Sequence, residues 1–271
     1  MYNELFHIGP FTVYGYGLMI GIGILVAYFT AEKRAKKRGL DPERIFGFVF
    51  SCVIAGFTGS KILYTITTWD RFINDPASLI REFFNGWVVY GGIIGGIVGA
   101  LIYCKVCKLN ALKYIDNAFP SVAFGQAFGR IGCFLAGCCY GRECAGPLSV
   151  TFKNSHFAPN NIPLIPTQLI MSAADFILAF GLIFLYDKKF KKPGQTTAFY
   201  LIFYSVGRFL IEYLRGDLDR GNVGIFSTSQ FIAIFTFIAG VAGLILATRF
   251  AKDEAVEKAE EEEATTTSSG V

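Results

Sequence analysis

Charge is scarce in this chain. Of its 271 residues only 17% are Lys, Arg, Asp or Glu, against 53% hydrophobic, and the mean hydropathy is +0.46. A soluble domain of this size needs far more polar surface, so a water-solvated globule is excluded and the bilayer is the expected solvent. The net charge of +4 is no nucleic-acid signature, because the Lys and Arg residues gather in loops predicted on one side and so orient the chain in a membrane. A cleaved leader is not expected either: no basic stretch precedes the first apolar segment and no small-residue cleavage site follows it, so that segment is read as the first span. Histidine is almost missing, with two in the chain.

What is present is a series of apolar runs, each near the ~20 residues that cross a bilayer as a helix. They fall at roughly 12–30, 45–66, 87–104, from about 114 up to Gly129, 167–186, 197–214 and 230–248. The predicted fold class is all-α, a polytopic membrane protein of about seven transmembrane helices. The basic clusters Lys33 to Arg38, Lys105 to Lys113 and Lys188 to Lys192 mark the inner side, which puts the N-terminus outside and the C-terminus in the cytoplasm. Residues 1–250 form one membrane domain in this reading. Residues 251–271, rich in Lys and Glu and then in Thr, Ser and Gly, are expected to be a short cytoplasmic helix fraying into a disordered tail.

Two patterns speak for packing. Ser51, Ala55 and Gly59, with Gly56 and Ser60 beside them, give the second span a small-residue face. Gly91, Gly95 and Gly99 do the same for the third, and close helix contact is preferred there over a ligand contact. Cys104-Lys105-Val106-Cys107 has redox or metal spacing, but a single such pair is weak and reads as packing.

The segment Gly129-Arg130-Ile131-Gly132-Cys133-Phe134-Leu135-Ala136-Gly137-Cys138-Cys139-Tyr140-Gly141 is different. It puts an arginine, several glycines and three cysteines at the end of an apolar run, and an arginine at that depth costs several kcal/mol unless paired or watered. A second anomaly lies in the sixth span, where Tyr204, Arg208, Glu212 and Arg215 are spaced to share one helical face. Asp175 in the fifth span calls for a partner or a polar cavity. Topology places Lys61, Tyr90, Arg130 and the Arg208 to Arg215 stripe in the outer half of the membrane, where one pocket could hold them all.

A guanidinium surplus there suits an anionic headgroup, since the arginine fork grips phosphate oxygens through two hydrogen bonds. The glycines from Gly129 to Gly141 would add backbone N–H groups, and Tyr16, Tyr90, Tyr140 and Tyr204 hydroxyls. The competing readings are an Arg208–Glu212 pair that only joins helices and an Arg130 that snorkels. Cys133, Cys138, Cys139 and Cys144 admit three: small packing residues, a disulfide, or metal or redox chemistry. With no histidine nearer than His156 they do not make a standard zinc pattern.

With these residues in view, the chain resembles the prolipoprotein diacylglyceryl transferases of bacterial membranes over nearly its whole length before the tail. Ile8-Gly9-Pro10 followed by Tyr16-Gly17-Leu18 looks like the family's opening segment. Gly59-Ser60-Lys61-Ile62-Leu63-Tyr64 is similar to its second-span motif, where arginine is more usual than Lys61. Asp116-Asn117-Ala118-Phe119-Pro120 and Gly129-Arg130-Ile131-Gly132 fit the lead-in and core of its signature. Pro166-Thr167-Gln168-Leu169, the run from Tyr204 to Arg215, and Ser227-Thr228-Ser229-Gln230 match the starts or cores of the last three spans.

The resemblance implies transfer of a diacylglyceryl group from phosphatidylglycerol to the lipobox cysteine of prolipoproteins in the bacterial plasma membrane, without metal or soluble cofactor. The implied partners are phosphatidylglycerol, prolipoprotein signal peptides and membrane lipid, with no nucleic acid. The implied catalytic residues are Arg130 and Arg208, with Tyr90 standing where the family usually has histidine. Tyr16, Lys61, Arg130, Gly141, Tyr204, Glu212 and Arg215 would bind substrate. Cys133 and Cys138 replace the signature's asparagine and glutamate, and Ile170 and Met171 replace a tyrosine and a glutamate. These departures keep two other readings open: a paralogue that binds or moves anionic phospholipid without forming a thioether, and a membrane thiol-redox protein using the cluster from Cys133 to Cys144.

Overall fold

The computed structural model describes residues 4–8, 11–75, 86–188, 192–217 and 221–250. Seven long helices carry most of them: α1 Gly15–Arg38, α2 Glu43–Thr67, α3 Val89–Val106, α4 Ala111–Ala136, α5 Thr167–Lys188, α6 Gln195–Ile211 and α7 Thr228–Phe250. Five of the seven, all but α4 and α6, are long and apolar enough to cross a membrane. Their outward faces carry Phe29, Phe46, Phe50, Ile97, Ile177 and Phe235, each more than half exposed. Lipid tails are the solvent such faces require, and the protein is a mostly helical, multi-pass membrane protein. The charged tail 251–271 lies outside the described residues, as do residues 76–85 of the loop before α3.

Three helices stop in the same way. At α1, Gly39 and Leu40 donate to the carbonyls of Lys36 and Ala35 at 3.4 and 3.0 Å, with Gly39 at φ 68°. At α3, Lys108 and Leu109 donate to Lys105 and Cys104 at 3.3 and 2.8 Å. At α4, Gly137 and Cys138 donate to Phe134 and Cys133, both at 3.1 Å. Each is a Schellman motif, which satisfies carbonyls left open at a helix end and needs a left-handed residue just past it.

Some boundaries differ from the sequence expectation. The basic run Lys33 to Arg38, read as a loop, is the last turns of α1, where cations complement the negative end of the helix dipole. The first span was expected to begin at Thr12. Instead Phe11–Tyr14 pairs antiparallel with Glu4–Ile8, as its β-branched and aromatic residues favour, and the helix begins only at Gly15. The sixth span was expected to reach Leu214 with Arg215 on the same face. It ends at Ile211, Glu212–Leu214 tighten into a 3₁₀ turn, and Arg215 is extended at ψ 145°.

The described residues pack as two compact units, one drawn from Met1–Ala31 with Asp116–Val271 and the other from Glu32–Ile115. In the second, α2 and α3 lie against each other along their small residues. A Cβ on Gly59 would come within 2.5 Å of the Gly91 carbonyl and 3.0 Å of the Gly95 Cα. Ser51 and Ser60 donate across the seam to the carbonyls of Gly99 and Val88 at 3.1 and 2.9 Å.

In the first unit, Ala123 and Phe124 of α4, Ala179 and Leu182 of α5 and Tyr200 of α6 form the buried core. Asp116 of α4, fully buried, caps α6: its carboxylate accepts from the Thr197 amide and hydroxyl at 2.7 Å each and from the Thr196 amide at 3.3 Å. Asn117 donates to the Ala31 carbonyl of α1 at 2.9 Å. The segment between α4 and α5, too rich in proline for a span, folds on its own core of Phe152, Ala158 and Leu164 with a two-residue strand pair, Val150–Thr151 with Pro163–Leu164.

Candidate lipid-phosphate site

The Schellman turn that ends α4 shapes one wall of the site. In that motif the side chains three residues before and two residues beyond the cap come together, ordinarily as an apolar contact. Here both are cysteines, Cys133 and Cys138. Cys139 follows at φ 62°, a left-handed conformation that costs a non-glycine residue about 1–2 kcal/mol. The first two residues of α5 hold this turn in place, with Thr167 Oγ1 donating to the Cys139 carbonyl at 2.8 Å and Gln168 Nε2 to the Cys138 carbonyl at 2.7 Å.

The three Sγ atoms all lie within 4.8 Å of one another, and all seven cysteines of the chain are free thiols. Hydrogen bonding to Cys133 and then Cys138, assisted by the guanidinium of Arg215, holds the Cys139 thiol below the ordinary thiol range. The reciprocal bonds to Cys133 and Cys139 push Cys138 up.

The three arginines of this unit's site are not equivalent. Arg208 is nearly buried and tied on both sides, to the Glu212 carboxylate at 2.5 Å and to Ser229 Oγ at 2.6 Å. Ser229 is itself positioned by a capping box at the start of α7, where Ser227 Oγ accepts from the Gln230 amide at 3.2 Å and Gln230 Oε1 from the Ser227 amide at 3.1 Å. Arg215 is buried and forked onto Asp217, Nε to Oδ1 at 2.8 Å and Nη2 to Oδ2 at 2.6 Å.

Arg130, half-buried near the end of α4, makes no hydrogen bond or ion pair among the described residues. Its electrostatic neighbours are Tyr204, Cys133, Cys139 and Asp175. Tyr16 of α1 has Arg130 and the three thiols as its own. Close approach of α1 to α4 is possible at this level because Gly132 stands opposite Tyr16 and Met19, where a Cβ would meet Tyr16 at 3.1 Å.

Between α5 and α6 runs a cavity of about 600 Å³, walled by apolar side chains such as Ile170, Met171, Leu178 and Phe203. Its polar lining is Asp175, Tyr204 and Arg208. Asp175 is 5% exposed, and its Oδ2 has no hydrogen-bond partner among the described residues. A long apolar void with a few charged groups suits an amphiphile, with tails in the void and a polar head at the charges.

Of the residues expected in the site, the first unit brings together Tyr16, Arg130, Tyr204, Arg208, Glu212, Arg215 and Gly141. Gly141 serves the backbone: its amide is already donated to the Ile165 carbonyl at 3.0 Å, and a Cβ would come within 2.6 Å of that oxygen and 2.8 Å of the Leu214 carbonyl. Its bridge to Arg215 explains why Arg215 leaves the helical face on which it was expected.

Lys61 and Tyr90 belong to the second unit. Lys61 Nζ lies 3.5 Å from the Gly86 carbonyl and about 5 Å from the ring centroids of Tyr64 and Trp87, and Tyr90 is exposed on the first turn of α3. Sequence reasoning gave no role to Ser229, Asp217, Thr167 or Gln168. For Thr167 and Gln168 the place just past Pro166 was the available signal, and for Asp217 the place two residues after Arg215; nothing in the residues beside Ser229 pointed to Arg208.

The sequence model described as prolipoprotein diacylglyceryl transferase matches residues 3–246. The phosphatidylglycerol–prolipoprotein diacylglyceryl transferase of Clostridium tetani (strain Massachusetts / E88) is 48% identical over 237 residues, 88% of this chain and 94% of its own. The enzyme numbered 2 under that name in Clostridium perfringens (strain 13 / Type A) is 45% identical over 229 residues, 84% and 89% of the two chains. That of Staphylococcus aureus (strain MSSA476) is 33% identical over 254 residues, 89% and 87%. With matches of this extent, and a site of arginines and tyrosines beside an apolar cavity, the chain belongs to the prolipoprotein diacylglyceryl transferase family.

Proposed function

We propose that this chain transfers the diacylglyceryl group of phosphatidylglycerol to the lipobox cysteine of prolipoprotein signal peptides, in the bacterial plasma membrane. Residues 1–250 act as one membrane domain of seven spans, with the N-terminus outside and the C-terminus cytoplasmic. The observation that carries the reading is the inequality of the arginines. Arg208 and Arg215 are locked by carboxylates and a serine, while Arg130 is left open.

In this mechanism the acyl chains occupy the cavity between α5 and α6 and the phosphate meets Arg130. The acceptor sulfur attacks the glyceryl carbon, the carbon–oxygen bond to phosphate breaks, and glycerol phosphate leaves with the bonding pair. Arg130 stabilises the charge that grows on the phosphate, worth roughly 3–4 kcal/mol for a preorganised donor in a dry site. Tyr16 and Tyr204 line the headgroup. Arg208, Glu212 and Arg215 fix the wall, and Gly141 shapes the turn beside it. Lys61 and Tyr90 enter through the resemblance of their motifs alone.

The test is transfer of labelled lipid to a lipobox peptide by the purified chain. Arg130→Ala is expected to cut it by about 10²–10³-fold, and a wild-type chain that moves no lipid with both substrates present sinks the reading. Cys133 and Cys138 at the places of the family's asparagine and glutamate favour one second reading, binding of anionic phospholipid without chemistry. Arg130-dependent binding of phosphatidylglycerol vesicles with no turnover is its signature.

A further inference from the structure

The three thiols at the end of α4 are brought together by the backbone, and although Cys133 and Cys139 lie near Arg130 the transfer steps above give the sulfurs no part. The Schellman turn puts Cys138 over Cys133, the left-handed Cys139 turns a third sulfur onto the pair, and Thr167 and Gln168 hold the carbonyls of Cys139 and Cys138. All three side chains are half-buried, neither sealed in the core nor free in solvent. Thiolates on a tetrahedral zinc at ~2.3 Å stand ~3.8 Å apart. Sulfurs within 4.8 Å of one another therefore need to close by only about 1 Å.

The group among the described residues has three members and no histidine or carboxylate. Cys144, exposed on the following loop, is not one of them. Three thiolates on a divalent cation leave one negative charge, and the guanidinium of Arg215 lies against Cys139 to balance it. Three protein ligands with a free position are the mark of a zinc site that does chemistry, and four ligands the mark of a structural one.

We propose that Cys133, Cys138 and Cys139 bind one Zn²⁺ through three thiolates, leaving the fourth coordination position open to an incoming thiol. Coordination strips the proton from a bound thiol. The site would thus activate the acceptor where Cys133 and Cys138 have displaced an asparagine and a glutamate. This last step rests on the transferase reading: the acceptor thiol releases its proton to solvent as it binds zinc, and its sulfur then attacks the glyceryl carbon as described above.

The experiment is a Co²⁺ titration of the full-length chain, purified in detergent with a phosphine reductant. One equivalent is expected to raise sulfur-to-cobalt charge-transfer absorbance of three-thiolate intensity, displaced by Zn²⁺. Cys133→Ser, Cys138→Ser and Cys139→Ser should each weaken binding at least tenfold, and Cys144→Ser should leave it unchanged. N-acetylcysteine amide should shift the visible bands by entering the fourth position.

A wild-type spectrum without the charge-transfer band overturns the site whatever the variants do. Survival of the band in Cys139→Ser, its loss in Cys144→Ser, or no response to added thiol does the same. A chain that binds cobalt in this way and moves no lipid fails the transferase reading while supporting the metal site. Transfer undiminished after chelation overturns the activating role.

Discussion

The seam between α2 and α3 and the cavity between α5 and α6 are opposite uses of a helix pair. Along the seam, side chains are removed until backbones touch, and Ser51 and Ser60 bond to the facing carbonyls. Along the cavity, large apolar side chains stand back from each other, and Asp175, Tyr204 and Arg208 face the gap. Lipid tails are as apolar as leucine, so helices in a membrane gain from close contact or from polar bonds and little from burial itself. The seam takes the first route to its limit. The cavity gives up contact, and polar bonds tie its helices to their neighbours instead: Asp116 joins α4 to α6, Ser172 joins α5 to α4, and Arg208 joins α6 to Ser229 of α7. Space kept open at that cost is space for a ligand.

The contrast can be broken in graded ways. The largest effect is expected on the cavity side from Arg130→Ala, with a loss of transfer of about 10²–10³-fold and little change in thermal stability. A comparable loss of stability alone would reduce Arg130 to a structural residue.

Gly95→Val tests the seam. Its Cβ would collide with the Ala55 carbonyl and approach the Gly59 Cα at 3.2 Å, so the unfolding free energy should fall by about 3 kcal/mol. The check is thermal or denaturant unfolding in detergent, and an unchanged midpoint breaks the close-packing account. Asp116→Ala removes the cap of α6 and should cost about 2 kcal/mol in the same measurement, with Asp116→Asn recovering part of it.

Ser229→Ala frees one side of Arg208, and a bond to a charged group is worth about 1.5 kcal/mol or more, so transfer should drop roughly tenfold with the fold intact. Unaltered transfer would show that Arg208 needs only Glu212. The smallest effect is expected from Gln230→Ala, which opens the capping box of α7 for about 1 kcal/mol of stability.

Much of the site was legible in the residues because a membrane makes polar groups conspicuous. Arg130, Arg208, Glu212 and Asp175 stand out against an apolar background, and the glycine seam could be read from a spacing of four. Arg215 could not be placed by spacing. A helix continued past Ile211 would have kept it on the face of Arg208, but the bridge to Gly141 and the fork onto Asp217 pull it out. Nor could the openness of Arg130 be read, since that depends on which carboxylates go elsewhere.

The chain alone therefore determined the solvent, the helices and the identity of the residues that do not belong in lipid, because hydropathy and helical period are properties of short stretches. The tertiary structure decided which of the site's three arginines is left without an ion pair among the described residues, that a void lies between α5 and α6, and that three cysteines share one point. Each of those depends on groups far apart in the chain, or on a turn whose geometry a one-dimensional pattern does not carry.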